Sequence, residues 1–190
     1  VLSFNEGQTF VDLNDVFVFV NLHFSKPKGC RLSGTPFILI SFFKLYRIGY
    51  YNLLYVCTHR AKLAYNIIVG ISSYDFAKKL GETGEPIKVH IEIGTGMGRT
   101  GVHPYRIDKY IEQLPSNVIV EGIYTHLSSA DIDDTYTLKQ LKSFNAAVST
   151  AKELLGNIKY IHAAASNGIV NFPDSHFNLV RTGIIMYGYA

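Results

Sequence analysis

Three short stretches carry residues that could do chemistry. The first is GTGMGRTGV, where Arg99 stands among glycines directly after the alternating run VHIEI. Glycines let a backbone turn tightly or approach a ligand closely, and a guanidinium there supplies a fixed positive charge. The second is GIYTHLSSAD, with His126 where an apolar run gives way to loop. An imidazole at that point can hydrogen-bond, transfer a proton or stack on a flat ring. The third is AAASNG, which sets Ser166 and several backbone N–H groups among very small side chains. Such a cluster suits an anion, and so does the GII that begins at Gly183 and Ile184, just after Arg181. Each stretch also has a plain structural reading. These are a glycine-rich turn with a solvated arginine, a satisfied structural histidine, and close helix–sheet packing. His162 in YIHAAAS carries the same ambiguity as His126, and no metal-ligand spacing joins the two.

The elements that must hold these residues alternate after residue 60. YNIIVGI (65–71) reads as a strand, and SSYDFAKKL as a helix capped by Ser72 or Ser73, with Tyr74, Ala77 and Leu80 on one face. GETGEP is a turn and IKVHIEI a strand. In that strand Val89, Ile91 and Ile93 form a face for helices, and His90, Glu92 and Gly94 form the opposite one. A lone Glu92 inside would be costly, so a nearby Arg99 could neutralise it. Pro104 opens a helix through Leu114 with Ile107, Ile111 and Leu114 inward. VIVEGIYTHL (118–127) is the next strand. Leu138, Leu141, Phe144, Val148, Ala151 and Leu155 mark a long amphipathic helix that Gly156 ends. KYIHAAAS is a strand running into loop, and LVRTGIIMYG is the last strand. Apolar strands alternating with helices predict a parallel sheet covered on both faces, as a β/α barrel or an open doubly wound sheet. Both place chemistry at the carboxyl ends of strands, where Arg99, His126 and Ser166 fall.

The whole chain narrows the classes. Its 190 residues suffice for one domain with a real core, and the net charge of +3 comes from scattered basic residues. That argues against a nucleic-acid partner. Cys30 and Cys57 lack metal-ligand spacing and read as reduced thiols of a cytoplasmic protein. The start, VLSFNEGQTF, shows neither a signal peptide nor an initiator Met, which suggests a piece of a longer chain. No acidic residue occurs between Asp15 and Asp75, and FILISFFKLYRIGYYNLLYVC is awkward for a soluble surface. Lys44 and Arg47 in its middle argue against a membrane hairpin.

Taken together, HIEIGTGMGRTGV, EGIYTHLSSAD, IHAAAS and LVRTGIIMYG resemble alanine racemase in order and spacing. That family uses pyridoxal phosphate (PLP) and has an N-terminal β/α barrel and a C-terminal β domain. The resemblance implies one incomplete TIM-type (β/α)8 barrel over 1–190, roughly strands two to eight. It is well matched over 62–190 and weakly over 1–61. There, DVFVFVNL resembles the second strand, and KGCRLSGTPFILI the second helix and third strand. In this register the family's PLP lysine, in a K-A-N-A-Y-G motif, belongs before Val1. Lys62 in AKLAYN falls beside the fourth strand and does not replace it. The C-terminal domain with the catalytic tyrosine is expected to be absent.

The resemblance also implies roles. His126 lies against the PLP ring, Ser166 and the N–H groups of Gly183 and Ile184 hold the phosphate, and Arg181 faces the ring nitrogen. Arginine only donates, so that nitrogen accepts and stays unprotonated, which weakens the ring as an electron sink. Arg99 matches the arginine that contacts the cofactor and orients the tyrosine base. Glu92 stands where many members carry a lysine, often carbamylated, and supplies a negative charge on a shorter arm. Gly94 stands for a usual Asp, Ala165 for Asn, and Thr182 for Pro. The implied activity is interconversion of L- and D-alanine for cell-wall precursors, with alanine or serine as substrate. The implied setting is a cytoplasmic homodimer without membrane or nucleic acid. The isolated chain, lacking both bases, is expected to be inactive. A PLP-homeostasis barrel without racemase activity and a non-functional gene fragment are the alternatives.

Overall fold

The computed structural model describes residues 68–188, together with the strand backbone of Val18–Phe19 (β1) and Phe37–Leu39 (β2). The remaining expectations over 1–67, including Cys30, Cys57, Lys62 and the start of the 65–71 strand, lie outside the described residues.

Four strands form the frame of the site: β3 (Ile68–Ile71), β4 (Ile87–Ile93), β5 (Val118–Thr125) and β6 (Tyr160–His162). They lie side by side in that order, each parallel to the next. Parallel neighbours need a crossover, and the helices supply it. Helix α1 (Tyr74–Gly81) joins β3 to β4. A 3-10 turn (Pro104–Arg106) running into α2 (Ile107–Glu112) joins β4 to β5. The long α3 (Asp134–Leu155) joins β5 to β6. All four strands therefore end on one side, and the polar loops gather there.

The helices start and stop where their sequence dictates. Ser73 Oγ accepts from Phe76 N–H at 3.3 Å, and Asp133 accepts from Tyr136 N–H at 2.8 Å. Gly156 ends α3 at φ 73°, a conformation that costs glycine little. Val89, Ile91 and Ile93 meet the helices in one buried cluster with Ala77, Leu80, Ile107 and Phe144. Phe144 is fully buried, so truncation to Ala would cost about 3–5 kcal/mol.

Several expectations need correction. Tyr74 is 41% exposed, because α1 turns Ala77 and Leu80 inward and leaves its first turn at the rim. Leu138 is 57% exposed, while Thr137 and Gln140 fill the buried stripe of α3 instead. The 104–114 helix begins as a 3-10 turn and is α-helical only to Glu112. The last strand, β7 (Val180–Thr182), is shorter than the 179–188 run. Gly183 bends the chain there, and a 3-10 turn (Ile184–Tyr187) follows, with Met186 N–H donating to Gly183 O. β7 pairs in parallel with β2, and β1 pairs antiparallel with β3 rather than as a parallel second strand.

A bulge matters for the site. β4 and β5 shift register so that His90 pairs with Gly122, skipping Glu121. A Cβ on Gly122 would lie 2.6 Å from His90 Nε2, so only glycine leaves room for that ring.

Candidate active site

Arg181 is the hub. It is 3% exposed on β7, and its Nη1 donates to His162 Nδ1 at 2.8 Å and to His162 O at 3.2 Å. Its Nη2 donates to Thr125 O at 2.7 Å and Ala163 O at 3.1 Å, with His126 Nδ1 at 3.4 Å. These bonds commit the Nη protons and leave Nε–H as the guanidinium donor with no acceptor among the described residues. Burial pulls the Arg181 pKa down to about 10, so it remains charged at neutral pH. The strand ends explain the trap: carbonyls at the carboxyl ends of β5 and β6 point at one cation.

The histidines around it are neutral. Burial, then the charges of Arg181 and Arg99, push His126 down to about 4. Burial, then Arg181 and Lys159, push His90 down to about 3. His162 is lowered well below its ordinary value by burial, Arg181 and His90. His126 follows the last residue of β5, half-buried, so its imidazole combines a fixed place with access to the loop side.

Glu92 occupies the other flank, 3% exposed near the end of β4. Thr100 Oγ1 donates to its Oε2 at 2.9 Å, and the Tyr124 hydroxyl donates to the same oxygen at 3.3 Å. Burial raises its pKa, and the Thr100 bond, the Arg99 charge, the Tyr124 bond and the Arg181 charge each pull it back. Arg99 therefore does act on Glu92, but the Thr100 bond does more to favour the charged form. Arg99 itself is exposed on the loop that leaves β4. That loop is clamped at its base, where Gly94 N–H donates to Val102 O at 2.9 Å and Val102 N–H to Glu92 O at 2.8 Å. Gly101 sits there at φ 112° against the backbone of Gly94, and no other residue fits.

Ser166 opens α4 (Ser166–Asn171), and Gly183 opens the final 3-10 turn beside it. Ser166 Oγ accepts from Ile185 N–H at 3.2 Å. A Cβ on Gly183 would lie 3.3 Å from Ser166 Oγ, so glycine keeps that corner open. Ile184 is 57% exposed, and the backbone N–H that reaches Ser166 is that of the next residue, Ile185. Arg181 N–H donates to Ala164 O at 3.0 Å, tying this corner to the guanidinium.

Two residues that sequence reading missed hold these parts together. Tyr124 stacks on His162 at 5.0 Å between centroids, lies under Arg181 at 5.4 Å, and reaches Glu92 with its hydroxyl. It lies on β5 two residues before His126, which follows the strand's end, and that spacing of two was its only signal. Gln140, 1% exposed on α3, accepts from Ser128 N–H at 3.0 Å. It donates to Thr95 Oγ1 at 3.1 Å and His126 O at 3.4 Å. A glutamine inside an apolar stripe is the trace it leaves in the sequence. The described residues contain no cluster able to hold a metal ion and no helix long and apolar enough to cross a membrane.

Comparison with known proteins identifies the family and the fold. The model of the alanine racemase N-terminal domain family matches residues 51–190, beginning somewhat earlier than the 62–190 core of the resemblance. Alanine racemase of Clostridium tetani is 41% identical over 136 residues, covering 67% of this chain and 35% of that protein. Alanine racemase 2 of Clostridium acetobutylicum is 32% identical over 133 residues, covering 66% of this chain and 34% of that protein. The chain thus spans about a third of the length of these curated relatives. Among solved structures, alanine racemase of Clostridium difficile in complex with cycloserine superposes with a TM-score of 0.64 at 28% identity. That match covers 77% of this chain and 41% of that one. The parallel strands and their crossover helices thus fit one TIM-type β/α barrel, of which this chain is a part: it belongs to the alanine racemase family, through that family's N-terminal domain.

Proposed function

We propose that this chain forms the PLP-holding floor of an alanine racemase that interconverts L- and D-alanine for cell-wall precursors. When bound, PLP supplies the electron sink that lets a proton leave the α-carbon of an amino acid. Ser166 and the backbone N–H groups of Gly183 and Ile184 hold its phosphate, in the corner that glycine keeps open. Arg181 offers Nε–H to the ring nitrogen and, being charged, keeps that nitrogen an acceptor. His126 lies against the ring as a neutral imidazole. Arg99 stands at the mouth to orient the substrate and its base, with Glu92 as the countercharge below. The observation that carries this reading is Arg181, buried with its Nη protons committed and its Nε–H without an acceptor among the described residues.

The family's lysine and tyrosine bases have no match in these 190 residues, so we assign this chain cofactor binding and not proton transfer. The full enzyme is then a cytoplasmic homodimer acting on alanine or serine. Equilibrium dialysis tests the assignment. PLP binds saturably, pyridoxal without phosphate binds about tenfold or more weakly, and Ser166→Ala narrows that gap. The purified chain leaves L-alanine unracemised. Equal affinity for PLP and pyridoxal, or turnover by this chain, would overturn the reading.

A further inference from the structure

Arg181 carries donors only, and its Nη1 lies 2.8 Å from His162 Nδ1. That nitrogen accepts, so the His162 proton sits on Nε2. His162 Nε2 lies 2.8 Å from His90 Nδ1, which must accept in turn, so the His90 proton also sits on Nε2. Reversing either ring would set two protons or two lone pairs face to face in a dry interior. We propose that His162 and His90 form a one-way, proton-ordered relay that aims the Arg181 guanidinium, which makes His90 a positioning residue two links behind the site.

The surroundings fix the order. His90 and His162 are fully buried, and the His90 ring packs directly against Gly122, where a Cβ would lie 2.6 Å from Nε2. Tyr160 packs at 5.5 Å from His90, and Tyr124 stacks flat on His162. Among the described residues, the charged groups that act on the pair are Arg181 and, on His90, Lys159, and both favour neutral rings. The relay sets which way Arg181 faces, and its consequence for a ligand rests on the proposed contact between Arg181 and a ring nitrogen.

Long-range 1H–15N spectra of the imidazoles in this chain, without any cofactor, test the relay directly. Both rings are expected to be neutral with the proton on Nε2. His90→Asn keeps an acceptor where Nδ1 stood and leaves the His162 signals in place. His90→Leu removes the acceptor, so the His162 proton stays on Nε2 but loses its hydrogen bond, its Nε2–H signals shift, and PLP affinity drops about tenfold. A proton on Nδ1 of either ring, or a folded His90→Leu chain with unchanged His162 signals, would overturn the relay. If His90→Leu does not fold, the wild-type and His90→Asn spectra still decide. Failure of the wild-type chain to bind PLP with both tautomers as expected would count against the cofactor assignment and leave the relay standing.

Discussion

Mild acid should destabilise this chain, and the size of the loss follows from its buried histidines. The fold keeps His90 neutral down to about 3 and His126 down to about 4. In the unfolded chain each takes up a proton near the ordinary histidine value of about 6.5. Between those values the unfolded state binds more protons, so stability is fully present above about 6.5 and falls as pH falls. From pH 7 to pH 5 each such histidine removes about 2 kcal/mol, and the two together about 4 kcal/mol. His162 acts in the same direction. Glu92 acts in the opposite one, because burial raises its pKa and the fold gains a proton as pH drops. A loss of about 4 kcal/mol is a large part of the roughly 5–15 kcal/mol that holds a domain together. Urea unfolding followed by far-ultraviolet circular dichroism at pH 7 and pH 5 measures it. His90→Asn should flatten the difference by about 2 kcal/mol, since it deletes one of the titrating rings. A urea midpoint that is equal or higher at pH 5 would refute the reasoning.

Other substitutions probe separate parts. Gln140→Leu strands the Ser128 N–H and loosens Thr95 and the His126 carbonyl, so urea unfolding should show a loss of about 2–3 kcal/mol. Gly122→Ala drives a methyl into the His90 ring and should cost about 2–3 kcal/mol in the same assay, with the His90 and His162 signals disturbed. Arg181→Lys keeps the charge but lacks the planar fork that meets four acceptors. PLP binding by dialysis should therefore be lost by at least about tenfold despite the retained cation.

The parallel sheet was legible because its strands are apolar runs alternating with helices that carry their own caps and stops. Ser73, Gly156 and the alternation of Val89, Ile91 and Ile93 act locally, so a short window of sequence contains the whole cause. The candidate site was legible as strand ends but not as a network. Nothing near Tyr124 says that its hydroxyl meets Glu92, and nothing near Gln140 says that it braces two loops, because these partners are distant in the chain. Tyr74 and Leu138 misled for a related reason. Helical spacing fixes a face but not how far that face reaches past the sheet, and both lie beyond its rim. The end of β7 was hidden because Ile184, Ile185 and Met186 favour strand on composition, while the bend at Gly183 decides otherwise.

Everything in the functional reading turns on two grips at opposite ends of one flat molecule. A crystal structure of this chain soaked with PLP measures that most directly. The account predicts the phosphate within hydrogen-bonding distance of Ser166 Oγ and the Gly183–Ile184 backbone, and the ring nitrogen on Arg181 Nε. Phosphate density elsewhere, or a ring whose nitrogen faces away from Arg181, would contradict it.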